Sequence, residues 1–279
     1  MTKLSPVEQF LVNFHDKTPG LTSLAYKDLS AECKGKSYRS SYESLADAIP
    51  HMRDRCKVLD VACGDGYLLS LLQARAEQRV LLHGVDISRG ELSIARERLG
   101  REVVLVQCRA QSLPMAAEAV DCVVSHMALM LMDDLDGTLA EIRRVLRRGG
   151  TFAFVVGASP PQGQPVIEKF IARVRSQMLV HSTNPIRIGD PRMRSEKTIL
   201  SAIDPYFSDA EIVPITLRAK YSVEQVWSWF NGMYEMSYFD EVTQQKFGSE
   251  YIDSIRSLCA PDKKIELVSS MIRVTSRAR

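Results

Sequence analysis

A short stretch of acidic and glycine residues, with one further acid about 20 residues later, has the types and spacing to bind a ligand. Residues 58–66 read V-L-D-V-A-C-G-D-G, in which Asp60 lies in an apolar, β-branched run and Gly64 and Gly66 follow. This pattern predicts a buried strand, a glycine turn and a helix whose first N–H groups point at a ligand. Asp86 ends the next predicted strand, where an acidic residue suits a ribose diol.

The spacing Asp60-x-x-x-Gly64-x-Gly66 differs from the G-x-G-x-x-G of dinucleotide-binding folds. It resembles the first motif of the class I S-adenosylmethionine-dependent methyltransferases, and Asp86 matches the ribose-binding acid of that family. The resemblance continues through Gly157 and implies S-adenosyl-L-methionine as the cofactor. The residues expected to contact this cofactor lie at strand ends, in the turns after them and in the leading segment: Asp60, Ala62, Gly64, Gly66, Asp86, Ile87, Arg109, Ala110, Gln111, Ser125 and Tyr38.

One position departs from the family pattern. After the third core strand the family usually has an acidic residue that bonds the adenine amino group, whereas this sequence has Arg109-Ala110-Gln111-Ser112. An arginine side chain has no hydrogen-bond acceptor. We therefore expect Gln111 or a backbone carbonyl to replace the usual contact, and Ile87 to pack on the adenine.

The candidate catalytic residues are His126, Tyr42 and Tyr234. His126 ends a central apolar strand, where open sheets bind ligands, and it is either a general base or a histidine that only shapes the pocket. His15 and His181 are weaker candidates. No spacing of histidines, cysteines or carboxylates suggests a metal site.

Aromatic residues of the two flanking segments are the candidates to face the sulfonium and the substrate. Tyr42, like Tyr38, precedes the core, and aromatic faces attract cations. In the later segment Trp227 and Tyr234 are seven residues apart, which places them on one helical face with Phe230 between them. These residues form either the packed core of a cap or the wall of a substrate pocket.

The order of the predicted elements indicates an α/β fold. Strands alternate with helices from residue 57 to residue 157, which predicts a parallel sheet with helices on both faces. The resemblance implies a Rossmann-like, seven-stranded, mostly parallel sheet with an antiparallel edge. Residues 1–50 are predicted to form an N-terminal helical lid, and residues 51–279 the cofactor-binding domain with helical cap insertions near 158–205 and 222–260.

Composition excludes several classes of function. The 279 residues are 45% hydrophobic and 25% charged with a net charge of +2, which gives no reason to expect a nucleic acid or membrane partner. The six cysteines form no C-x-x-C pair, and the N-terminus lacks the apolar run of a signal peptide. We therefore expect a cytoplasmic monomer or homodimer.

Three functions remain open at this point. The first is a methyltransferase acting on a small-molecule substrate, in biosynthesis and specifically in secondary metabolism. The second is an enzyme of the azetidine-2-carboxylate synthase type, in which the cofactor's amine closes a ring and releases methylthioadenosine. The third is a non-catalytic subunit that only binds the cofactor. Analysis of the products after incubation distinguishes the three.

Overall fold

The computed structural model describes residues 3–49, 55–75, 80–159, 161–180 and 185–279. The strands lie in one sheet: β1 (Ser30–Cys33), β2 (Lys36–Tyr38), β3 (Lys57–Val61), β4 (Leu81–Asp86), β5 (Val104–Gln107), β6 (Val120–His126), β7 (Leu146–Gly157), β8 (Phe207–Tyr221) and β9 (Ile265–Ala278). The α-helices are α1 (Pro6–Lys17), α2 (Leu21–Tyr26), α3 (Ser41–Asp47), α4 (Tyr67–Arg75), α5 (Arg89–Leu99), α6 (Leu135–Val145), α7 (Pro165–Val180), α8 (Glu196–Ile203), α9 (Val223–Asn231) and α10 (Glu241–Ile255). Four short 3₁₀ helices span Leu129–Leu131, Pro191–Arg194, Tyr234–Tyr238 and Arg256–Leu258.

The sheet order is β2-β1-β8-β9-β7-β6-β3-β4-β5. Neighbouring strands from β7 to β5 are parallel, and those from β2 to β7 are antiparallel. The carboxyl ends of β3, β4 and β6 therefore meet at one edge, as the alternation of strands and helices predicts. The α/β fold class is confirmed.

Two further strands make the sheet nine-stranded, not seven-stranded, and the leading 50 residues are not purely helical. Strands β1 and β2 form a hairpin through Lys34 and Gly35, whose φ angles are +51° and +72°. Both values suit the two-residue turn of a tight hairpin. Alternate burial in β1 places Ala31 and Cys33 against the core, and β1 then pairs with β8. The predicted antiparallel edge is therefore covered by this hairpin.

Successive residues of β3 pack against opposite layers of the molecule. Val58 faces a cluster that contains Leu45 of α3 and Leu69 of α4, while Leu59 faces a cluster that contains Leu139 of α6. This alternation is the two-residue period of a strand that is buried on both faces. It fixes the backbone at the end of β3, where the predicted ligand-binding turn begins.

Helices α7, α9 and α10 form a cap with its own apolar core. The Phe170 and Phe230 rings stack with centroids 4.3 Å apart, and Tyr251 is fully buried beside them. Trp227 stacks on Phe247 of α10, at a centroid distance of 5.6 Å. Among the described residues, no helix combines the length and the hydropathy needed to cross a membrane.

Candidate active site

The turn after β3 carries an unusual backbone. Ala62 has a φ of +56° and Gly64 a φ of +52°, in the left-handed region that side chains disfavour. The Gly64 N–H donates to Asp86 Oδ2 over 2.8 Å, which ties the turn to the end of the neighbouring strand β4. A Cβ at Gly64 would be in ordinary van der Waals contact with the Glu91 carboxylate, at 3.7 Å and beyond, and both residues line one pocket. Backbone strain of this kind is concentrated at ligand-binding sites.

Asp60 carries a buried carboxylate with an unused oxygen. The residue is 1% exposed, and its Oδ1 has no hydrogen-bond partner among the described residues. Burial raises the pKa of Asp60 well above its usual value, and the nearby Asp86 and Asp65 carboxylates raise it further. A cationic group placed beside Oδ1 would remove this penalty, because an opposite charge favours the ionised carboxylate.

Asp86 is held in a fixed orientation. Its Oδ2 accepts from Gly64 N–H and its Oδ1 accepts from Ser88 N–H, both at 2.8 Å. Burial raises the pKa of Asp86, while these two backbone hydrogen bonds oppose the rise. Each carboxylate oxygen accepts more than one hydrogen bond, so Asp86 keeps acceptor capacity for ligand hydroxyls.

His126 and Tyr42 form one wall of the same pocket. Their rings stack with centroids 3.5 Å apart, and His126 Nε2 lies 2.9 Å from the Ser41 hydroxyl. Burial lowers the pKa of His126 to about 3 and raises that of Tyr42 well above its usual value. Both rings are therefore uncharged at neutral pH. The His126 Nδ1 atom has no hydrogen-bond partner among the residues described.

Helix α1 covers the pocket through His15. The ring lies between the core and the cap, with Nδ1 2.9 Å from Glu91 Oε1 and Nε2 2.9 Å from the Tyr234 hydroxyl. A carboxylate only accepts, so Nδ1 carries the proton and, in the neutral ring, Nε2 accepts from Tyr234. Burial is the main reason that the pKa of Tyr234 is raised. The phenol therefore stays protonated and able to donate.

A second contact joins α1 to the end of β5. Arg109 Nε donates to Glu8 Oε1 over 2.7 Å, and Glu8 is 6% exposed. Glu8 also closes a capping box with Ser5 at the start of α1. An arginine thus stands where the resembled family has an acid, and a carboxylate from α1 lies beside it.

Most of the residues predicted to form the site line one pocket in the structure. They are Tyr42, Asp60, Ala62, Gly64, Asp86, Ile87, Ala110, Gln111, His126 and Tyr234. Pocket walls that the sequence did not single out come from α1 and α5, above all Glu8 and Glu91. Glu8 also caps α1, and Glu91 lies in the first turn of α5, so sequence alone offered a sufficient reason for the presence of each.

Four predicted cofactor residues lie outside the pocket lining. Tyr38 is in the outer strand β2 and donates to Asp47, and the Ser125 hydroxyl donates to the Val61 carbonyl within the sheet. A Cβ at Gly66 would come within 2.7 Å of Leu99, so this glycine permits α4 and α5 to pack. Arg109 reaches the pocket indirectly, through its hydrogen bond to Glu8, which lines the pocket.

Residue His181 lies outside the described residues. The predicted common face of Trp227 and Tyr234 is wrong, because α9 ends at Asn231 and Tyr234 begins a separate 3₁₀ helix. Trp227 packs on α10, whereas Trp229 lines the space beside Tyr234.

The part of the chain that the structure describes holds no group of three metal-ligating side chains.

The comparisons with known proteins agree with this geometry. Residues 59–154 match the family model of a methyltransferase domain. The demethylmenaquinone methyltransferase of Symbiobacterium thermophilum is 34% identical over 115 residues, which cover 39% of this chain and 46% of that protein. The malonyl-[acyl-carrier protein] O-methyltransferase of Methylococcus capsulatus is 37% identical over 115 residues, or 40% of this chain and 42% of that protein. The chain thus spans about half the length of the curated relatives it matches.

Solved structures resemble nearly the whole chain. The [4+2]-cyclase SpnF has a TM-score of 0.58 at 16% identity, covering 99% of this chain and 97% of that one. The phosphoethanolamine N-methyltransferase 2 of Haemonchus contortus has a TM-score of 0.57 at 15% identity, covering 99% of this chain and 61% of that one. Likeness at this identity establishes the fold alone. The motif residues on β3 and β4 lie within residues 59–154, the part of the chain that is similar to a methyltransferase domain.

Proposed function

We propose that this protein binds S-adenosyl-L-methionine in the pocket at the ends of β3 and β4 and transfers its methyl group to a small molecule. The observation that carries the proposal is the unpartnered Oδ1 of Asp60, buried in the pocket that Gly64 also lines. A buried charge without a partner is destabilising, and the ligand that completes this site must therefore supply a cation or a donor. The α-amino group and the sulfonium of the cofactor are both cationic.

The part of the pocket around Asp86 fits an adenosine. Asp86 has acceptor capacity for the two ribose hydroxyls, and Ile87 offers an apolar surface for the base. Ala110 and Gln111 line the pocket beyond it, and Gln111 supplies both a donor and an acceptor. Gln111 would thus make the adenine contact that Arg109, paired with Glu8, does not provide.

In this proposal the side chains position the reactants and exclude water. The bound cofactor supplies an electrophilic methyl group. Tyr42 and His126 form a rigid, uncharged wall, because their rings stack and Ser41 fixes the imidazole. Helix α1 would close the opening through His15 and Tyr234 and act as a lid, whereas β1, β2 and α3 belong to the sheet and its core. Orientation of this kind supplies a large part of an enzymatic rate.

A general-base role for His126 fits the structure less well than a structural one. A histidine whose pKa is about 3 binds a proton weakly at neutral pH, so it removes one inefficiently from an acceptor. The site therefore suits an acceptor whose attacking atom already carries an available electron pair.

The predicted roles in biosynthesis and in secondary metabolism remain part of this proposal, and so does the predicted location in the cytoplasm. Six free cysteines suit a reducing compartment.

A second candidate rests on the raised pKa of Asp60. If the amine of the bound cofactor attacked its own γ-carbon, the carbon–sulfur bond would break and methylthioadenosine would leave. Asp60 would accept the proton that the amine loses, for which its raised pKa is suited. The same fold in the [4+2]-cyclase SpnF serves a reaction other than methyl transfer, by that protein's name.

Product analysis distinguishes the candidates. Incubation with cofactor and a mixture of small-molecule acceptors should yield S-adenosylhomocysteine, whereas cyclisation would release methylthioadenosine without an acceptor. Binding without either product would indicate a non-catalytic subunit. Asp60→Asn should weaken cofactor binding by at least about tenfold, since the carboxylate charge is lost. Asp121→Asn is the control, because Asp121 pairs with Arg147 elsewhere. Absence of binding at millimolar cofactor would refute the proposal.

A further inference from the structure

A second cavity lies against the cofactor pocket on the side of the cap. Its volume is about 740 Å³, within the range of sites that bind small molecules. Met127, Leu131 and Tyr234 line both spaces. Met127 has a φ of +56° directly after β6, which places its side chain at the junction. A molecule in the cavity would reach the cofactor pocket past these three side chains.

The walls of this cavity are mainly apolar. Phe170 and Val174 come from α7, and Trp229 and Met233 come from the end of α9 and the residues after it. Tyr26 of α2 stands perpendicular to the Trp229 indole at a centroid distance of 6.0 Å. The walls therefore combine both cap insertions with the leading segment, and they favour an apolar ligand body.

Two cationic side chains line this cavity but not the cofactor pocket. Arg175 and Arg194 are exposed, and neither lines the cofactor pocket. Across the described ranges, neither of them forms an ion pair, unlike Arg173, which pairs with Glu250. Glu235 is the acidic residue among the lining residues that the structure describes. The cavity thus offers guanidinium groups without an ion-pair partner, and such groups bind carboxylates and phosphates well.

We propose that the acceptor of this enzyme is an apolar molecule with an anionic group, held in this cavity with the anion at Arg175 and Arg194. The apolar body then extends past Trp229 to Met127 and Tyr234, where it meets the methyl donor. This inference rests on the proposed function, since it assigns the acceptor site of the same reaction. It also explains why two arginines without partners border an otherwise apolar space.

The test uses the full chain saturated with S-adenosylhomocysteine and a fluorescent probe, 11-(dansylamino)undecanoic acid. Decanoate and decanol compete with the probe, and they differ in the charge of the head group. Decanoate should displace the probe at least about tenfold better than decanol, the scale expected for a hydrogen-bonded charge. Equal displacement by the two compounds would overturn the anionic part of the inference.

Two variants locate the probe. Arg175→Gln combined with Arg194→Gln should abolish the preference for decanoate, whereas Lys169→Gln, on the same helix but outside the cavity, should retain it. Met178→Trp fills part of the cavity from a half-buried position and should weaken probe binding at least about tenfold while S-adenosylhomocysteine still binds. Unchanged probe affinity in this variant would overturn the location.

The two proposals fail in different ways. Calorimetry that detects no binding of S-adenosylhomocysteine refutes the proposed function itself. Normal binding of S-adenosylhomocysteine with no binding of the probe refutes only the acceptor site.

Discussion

Burial of His126 makes the stability of this protein sensitive to mild acid. The residue is 7% exposed, and burial alone lowers its pKa from 6.5 to about 3. Between these values the unfolded chain binds a proton that the folded chain does not. The free energy of unfolding therefore rises with pH across this window. The full contribution of His126 is present above pH 6.5 and is lost as the pH falls.

The size of the effect follows from the two pKa values. At pH 7 about a quarter of unfolded chains carry the proton, and at pH 5 nearly all of them do, for a pKa of about 6.5. The folded histidine stays neutral at both. Its contribution to the free energy of unfolding therefore falls by about 2 kcal/mol from pH 7 to pH 5. A typical domain has about 5–15 kcal/mol in total, so the loss is measurable.

The buried carboxyl groups of the site act in the opposite direction. Asp60, Asp65 and Asp86 have raised pKa values, so their folded forms bind protons more tightly and gain stability as the pH falls. A comparison with His126→Gln cancels their effect, because both proteins keep all three. Gln also retains a hydrogen-bonding group for Ser41.

Urea unfolding at pH 5, 6 and 7 gives the required free energies. The stability of the native protein relative to His126→Gln should fall by about 2 kcal/mol between pH 7 and pH 5. His83→Gln is the control, because His83 is only half-buried and should give a smaller change. A difference that does not depend on pH would show that His126 is not desolvated in the folded state.

Turnover of His126→Gln should fall only a few-fold, against about 10²-fold or more for a general base.

Three further predictions concern the pocket and its covers. Gly64→Val should abolish cofactor binding in calorimetry, since a β-branched residue at φ +52° is strained and fills the turn. Gly163→Val, also at positive φ but with no atom within 4 Å, should bind normally. Amide hydrogen exchange in residues 6–17 should slow when S-adenosylhomocysteine binds, and unchanged exchange would contradict a lid. Trp229→Ala should lower turnover while cofactor affinity stays within about threefold, or about 0.7 kcal/mol. Trp227→Ala should mainly lower the melting temperature; the reverse outcome would exchange the two roles.

The cofactor end of the site is predictable because its information is local. The strand, turn and helix around Gly64 occupy consecutive residues, and Asp86 ends the strand that pairs with β3. Open parallel sheets bind ligands at the carboxyl ends of their strands, so position in the fold follows from order in the sequence. The structure places Asp60, Gly64 and Asp86 on one pocket in agreement with that reasoning.

Segments without a strong period were harder to predict. The β1–β2 hairpin has strands of four and three residues, too short for alternation of polar and apolar residues to stand out. A helical period through residues 223–234 suggested one continuous face, yet Gly232 follows α9 and the chain changes direction there. Because α9 ends there, Trp229 lines the pocket wall in place of the predicted Trp227.

Long-range pairs could not be predicted from one sequence, and they decide what the leading segment does. Glu8 caps α1 and also binds Arg109, 101 residues away, while Glu91 lies in the first turn of α5 and also contacts His15. Both carboxylates are buried at these contacts, at 6% and 3% exposure. If such a pair broke while the carboxylate stayed buried, the charge of the carboxylate would be unpaired, which is strongly destabilising. In the proposed lid role, α1 would therefore have to move as a whole helix, far enough to hydrate both carboxylates.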